Sequence, residues 1–179
     1  MYVFLPLVPT IFLILMLVLI VSDSSSGDST TMAGVFFVTP FEYGVTPSIA
    51  SEFGERVDPI TGETSFHSGI DLDAPEGSNI VASANGTVVE VGYDEDGLGN
   101  YVYIKHDFDG LIYYSAYGHM LDNSVVVSVG DEVVSKQKIG VIGSSGRSTG
   151  VHLHFVLMSP DLSFDQDNLV NPINVINGL

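Results

Sequence analysis

From residue 80 onward the chain is a succession of short β-branched and aromatic runs, each cut off by Gly, Asn or Asp. Ile80-Val81-Ala82-Ser83 and Gly86-Thr87-Val88-Val89-Glu90-Val91 are separated by Asn85-Gly86. Tyr101-Val102-Tyr103-Ile104-Lys105 and Leu111-Ile112-Tyr113-Tyr114 flank the turn signal Asp107-Phe108-Asp109-Gly110. Runs at 125–129, 132–134, 139–142 and 151–158 complete the series. Beyond the N-terminal segment no window carries a 3.6-residue apolar period, so helical architectures are excluded. The spacing predicts an all-β sandwich or barrel, without tandem repeats or a second domain.

The N-terminus is different. Residues 2–21 are nearly all apolar and carry no charge, about the length needed to cross a bilayer. A secretory signal is the rival reading, but Arg56 is the only basic residue before Lys105, and Thr31-Met32-Ala33 is a weak cleavage candidate. We therefore expect a single transmembrane anchor at 1–21, or a signal peptide. A Ser-rich linker and lead-in follow at 22–45, with apolar content returning from about Val35, and then a folded domain at 46–179. Asp23 and Asp28 after the span suit export, which predicts an extracytoplasmic domain. The formal net charge of −17 argues against nucleic acid and against docking on anionic lipid. It reads as a solubilising surface or as a preference for cationic substrates. There is no cysteine, which excludes thiolate metal sites and a Cys nucleophile.

Three of the five histidines fall into two short patterns. His67-Ser68-Gly69-Ile70-Asp71 spaces a His and an Asp four apart. His152-Leu153-His154 sits in a strand-like run, where residues i and i+2 share a face, so both imidazoles point the same way. Alone, either pattern could be a solvated surface. Together, a carboxylate and two neutral imidazoles match the ligand preference of zinc and leave imidazoles over for proton transfer. His119, in Tyr117-Gly118-His119-Met120, is a further candidate, whereas His106 reads as having no catalytic role. The loop Gly143-Ser144-Ser145-Gly146-Arg147-Ser148-Thr149-Gly150 lacks the ending of a phosphate cradle and leads into a strand, which speaks against a nucleotide. It reads as a wall of the site, with Arg147 either an isolated cation for a substrate carboxylate or a neutraliser of acidic surface.

The order H-x-x-x-D, Tyr117-Gly118-His119-Met120, and then the Gly/Ser loop running into His152-Leu153-His154-Phe155, resembles the M23 family of zinc metallopeptidases, the lysostaphin and LytM type. The resemblance extends through Asp73-Ala74-Pro75-Glu76-Gly77, the Gly99-to-His106 run and Val129-Gly130-Asp131-Glu132-Val133, covering about residues 66–172. It implies a compact antiparallel β-sandwich or barrel-like domain with its site in an open groove. It implies one Zn2+ held by His67, Asp71 and His154, with His119 and His152 as uncoordinated catalytic histidines. The implied activity is endopeptidase cleavage of peptidoglycan stem peptides or cross-bridges. A non-catalytic wall-binding or amidase-activating module with a residual metal site is the alternative, and a peptidase for exported proteins or a competitor's wall is a third. Val156, where the family often has an acidic residue, and the connection at 118–127 depart from the family pattern.

Overall fold

The computed structural model describes residues 37–177 and Leu179. The expected anchor at 2–21 and the Ser-rich stretch at 22–34 lie outside the described residues. Among the described residues no helix is long and apolar enough to cross a membrane.

The domain is all-β, as the punctuated runs predict. Among the described residues its main sheet has eight strands. Seven follow the order β10 (Glu132–Val133), β7 (Gly86–Asp94), β8 (Gly99–Phe108), β9 (Leu111–Met120), β12 (Leu153–Met158), β5 (Ile70–Asp73) and β2 (Ser48–Ser51), and the eighth, β13 (Leu169–Val170), also pairs with β12. Every pairing in this sheet is antiparallel. Two further antiparallel pairs, β3 (Gly54–Val57) with β4 (Thr64–His67) and β6 (Asn79–Val81) with β11 (Lys138–Val141), sit beside it. The β8–β9 hairpin turns at Asp109 and Gly110, both at positive φ, which is why an Asp-Gly pair stands there.

Alternation along the strands sorts the sheet into two faces. Ile70, Leu72, Leu153, Phe155, Leu157 and Tyr117 fill the main core on one face. On the other, Tyr103, Ala116, Val156 and Met158 form a smaller apolar cluster, and Asp71 and His154 occupy the same set of alternate positions. The lead-in is more than a linker. Phe37 and Phe41 are fully buried in the main core, and β1 (Phe37–Val38) pairs in parallel with β14 (Ile176–Asn177). Burying each phenylalanine contributes roughly 1.5–3 kcal/mol, so the packed unit includes residues placed in the 22–45 lead-in.

One expected strand is absent. Residues 125–129 form no ladder: Val126 donates a single bond to the Ile139 carbonyl (3.0 Å), and Val126 and Val129 are exposed. A run of valines has strand propensity, but without a partner edge along its length it stays a connection.

Candidate functional site

β5 and β12 place Asp71 directly opposite His154 in register. On the far side of β12 the partner of His154 is Gly118, and on the far side of β5 the partner of Asp71 is Ser51. A row of Ser51, Asp71, His154 and Gly118 therefore crosses four strands on one face, and the missing side chain at Gly118 lets Leu98 pack over it, its side chain 3.0 Å from where a Cβ would stand. His67 arrives from β4. The chain between His67 and Asp71 must pass against β12, and a Cβ on Gly69 would lie 2.2 Å from the Phe155 carbonyl oxygen, so only glycine fits.

The result is convergence of three ligand-type atoms. Asp71 Oδ1 lies 2.9 Å from His154 Nδ1 and 3.1 Å from His67 Nε2, and those two nitrogens are 3.1 Å apart. All three residues are buried. His67 Nδ1 is 2.7 Å from the carbonyl oxygen of Glu52. A carbonyl can only accept, so that nitrogen carries the ring proton. In its neutral form the ring therefore turns a lone pair at Nε2 toward Asp71 Oδ1, itself an acceptor, an arrangement that a shared cation relieves. Two imidazole nitrogens and one carboxylate oxygen suit a zinc-like divalent ion, so the residues present fit a metal. Burial alone would raise the Asp71 carboxyl, but the His154 and His67 rings beside it prevail and hold it well below the usual carboxylate range. Burial pushes the His154 imidazole down, favouring the neutral form that a metal ligand requires.

His119 reaches the same cleft by a backbone irregularity. The β8–β9 register slips between Asn100↔Met120 and Val102↔Tyr117, so Gly118 and His119 together oppose Tyr101. His119 takes φ 59°, in the left-handed region. This β-bulge turns His119 away from the core face while Tyr117 and Met120 stay in the core. His119 Nδ1 donates to the Ser145 carbonyl (2.8 Å), and His152 Nδ1 to that of Gly150 (2.9 Å). Each ring is thereby fixed with Nε2 free of a proton in its neutral form. The two rings lie 4.7 Å apart between centroids, and His152 Nε2 is 3.6 Å from Asp71 Oδ1. Burial pushes His119 down to about 4.

All five sequence-derived candidates, His67, Asp71, His119, His152 and His154, thus line one open cleft. His106 does not. It is fully buried at the far side of the core, with Nδ1 bonded to the Asn85 carbonyl and Nε2 to Ser115 Oγ.

Both arginines of the chain also line the cleft. Arg147 is not the isolated cation of one sequence expectation. Its Nη2 lies 2.7 Å from Asp58 Oδ2, while Asp58 Oδ1 accepts from the Ile60 and Thr61 backbone N–H groups. The Arg147 hydrogen bond, with those two, keeps the Asp58 carboxyl well below its usual range. The loop at 143–150 does form a cleft wall through Arg147, Ser148 and Thr149. The backbone that its Gly146 admits, however, is the protein's own, since a Cβ there would lie 2.2 Å from Gly99 N. Arg56 was not among the site candidates read from the sequence: its Nη1 is 3.3 Å from Asp71 Oδ2 and 2.7 Å from Ser51 Oγ. Its only sequence signal was rarity, as one of two arginines.

Residues 65–172 match the sequence profile of Peptidase family M23. The chain belongs to this family. Among curated M23-type relatives, a DD-carboxypeptidase/endopeptidase, Mpg, of Neisseria meningitidis serogroup B is 38% identical over 122 residues, covering 68% of this chain and 26% of the relative. The peptidoglycan DD-endopeptidase ShyC of Vibrio cholerae is 35% identical over 125 residues, covering 69% and 27%. The chain therefore spans about a quarter of the length of these relatives. Among solved structures, the catalytic domain of the antimicrobial peptidase lysostaphin from Staphylococcus simulans superposes with a TM-score of 0.62 at 31% identity, covering 71% of this chain and 90% of that one. The M23 match places His67, Asp71, His119, His152 and His154 all within its bounds.

Proposed function

We propose that the chain is a zinc-dependent endopeptidase that hydrolyses peptide bonds in peptidoglycan stem peptides or cross-bridges. The observation that carries this reading is the convergence of His67 Nε2, Asp71 Oδ1 and His154 Nδ1 beside two further imidazoles in an open cleft. The names of the M23 relatives, peptidoglycan endopeptidases among them, support the substrate class.

In this reading His67, Asp71 and His154 hold the metal, which, when bound, supplies Lewis-acid polarisation and an acidified water. The chain's own contribution is the pair of rings facing it. His119 and His152 are each oriented by a backbone carbonyl at Nδ1, so each presents Nε2 as a proton acceptor toward the cleft. One of them removes the proton of the attacking water at Nε2 and returns it to the leaving amine. The other, once protonated, donates from Nε2 to the oxygen on which negative charge develops. The apolar segment 2–21 supports an anchored, extracytoplasmic placement, where such a substrate is found.

Zinc content of the purified chain, followed by release of peptides or free amines from purified cell walls, tests the reading. Bound zinc with amine release supports it. Bound zinc with no release from any wall preparation favours a non-catalytic wall-binding module, and absence of zinc overturns both.

A further inference from the structure

Asp71 has two carboxylate oxygens, and the imidazoles take only one of them. Oδ1 faces His67 and His154, while Oδ2 points the other way, into a buried position where a half-charge needs a partner. That partner is Arg56, whose Nη1 lies 3.3 Å from Oδ2. The same Nη1 donates to Ser51 Oγ at 2.7 Å. Ser51 is itself the cross-strand neighbour of Asp71, at a point where the β2–β5 register slips between Ile49 and Ser51. Three side chains from β2, β3 and β5 therefore form one linked set. The intervening Glu52 adds a second link, its carbonyl accepting from His67 Nδ1 at 2.7 Å. Residues 51–56 thus grip the outer sides of two of the three converging side chains, yet they precede the 65–172 stretch that matches the family.

We propose that Arg56, braced by Ser51, is a positioning residue that fixes the Asp71 carboxylate so that Oδ1 alone is offered to the metal. The inference rests on the metal-site reading of His67, Asp71 and His154. Groups that hydrogen-bond the far side of a metal ligand set its orientation, and their loss typically weakens metal binding. A cation this close to a ligand could act in the opposite sense by repelling the metal. The two effects predict opposite signs, which makes the question decidable.

The test is zinc affinity of the purified chain, measured by competition with a chromophoric chelator, with no wall substrate present. Arg56→Ala is expected to weaken zinc binding by about 10–100-fold. Arg56→Lys keeps the charge but lacks the planar fork, so it recovers only part of that loss. Ser51→Ala, a milder change that removes the brace, weakens binding by a few-fold and still reads the effect if Arg56→Ala does not fold. Arg147→Ala removes an equal charge from the same cleft without touching Asp71 and leaves zinc affinity within about twofold. Unchanged or tighter binding in both Arg56→Lys and Ser51→Ala overturns the assignment, as does an equal loss in Arg147→Ala, which would make the effect one of net charge. A wild-type chain that binds no zinc overturns the metal-site reading itself, a result separable from failure of Arg56 alone.

Discussion

Asp71 and His154 stand opposite each other on neighbouring antiparallel strands, and the register that pairs them brings Oδ1 to 2.9 Å from Nδ1. Two ligand-type groups are thereby fixed by the sheet itself rather than by a loop. The proposed ligand set predicts that Asp71→Ala and His154→Ala each reduce bound zinc from about one per chain to a small fraction of that, while the remaining sheet keeps its far-ultraviolet signature. Elemental analysis of the purified variants checks this. Wild-type zinc content in both would remove Asp71 and His154 from the ligand set.

His119 and His152 are expected to behave in the opposite way. Neither belongs to the converging triad, and each is held through Nδ1 by a backbone carbonyl. His119→Ala and His152→Ala should therefore keep their zinc and lose about 10²–10⁴-fold in kcat, the range for removing a general acid–base group. Steady-state hydrolysis of a soluble stem peptide, run beside metal analysis, separates the two effects. Zinc loss in His152→Ala with retention in His154→Ala would exchange their roles.

How much of this was legible beforehand follows from what each signal depends on. The His-x-His pair was readable because period-two alternation is local, and it points His152 and His154 the same way. The all-β class was readable for the same reason. His119 was a candidate by its motif, but its direction depends on the bulge opposite Tyr101, a property of two strands together. Arg56 and Asp58 were invisible because their partners, Asp71 and Arg147, are distant in sequence and meet only after pairing. Phe37 and Phe41 were assigned to a lead-in because the short apolar run at 35–38, cut off by Thr39-Pro40, carries no periodicity. Their burial is a tertiary fact.

His106 contributes to the acid sensitivity of the domain, beside His119 and His154, which burial also pushes down. Its ring is fully buried against Phe37 and Phe108, and burial pushes it down to about 4 against an ordinary value of 6.5. Between those values the unfolded chain binds a proton that the folded chain refuses, so stability is full above pH 6.5 and falls as pH drops toward 4. The loss attributable to His106 is roughly 3 kcal/mol, taking about 1.4 kcal/mol per unit. Urea denaturation at several pH values between 4 and 7 should show this slope in the wild type. In His106→Gln the slope should shrink, even if the variant is less stable at pH 7. An unchanged slope would assign the acid sensitivity to other groups.

Asp58 and Arg147 tie the end of the β3–β4 hairpin to the Gly/Ser loop, and both residues line the cleft. The Arg147 side chain is 43% exposed, so the pair is partly solvated and is expected to add little to global stability. Its effect should instead fall on the shape of the cleft. Arg147→Ala is expected to raise KM several-fold on intact walls with kcat and zinc content nearly unchanged, because the interaction lies away from the converging triad and serves ground state and transition state alike. Asp58→Ala should do the same, and the double variant should be no worse than either single one, since each removes the same link. An additive double variant would mean that Arg147 contacts substrate independently of Asp58, as the isolated-cation reading supposed. The two cases separate further with salt. A cleft-shaping pair between fixed loops should lose its KM advantage gradually as ionic strength rises toward 1 M, where the screening length falls to about 3 Å, in the wild type but not in Arg147→Ala. If KM responds to salt identically in both proteins, the pair has no part in holding the cleft.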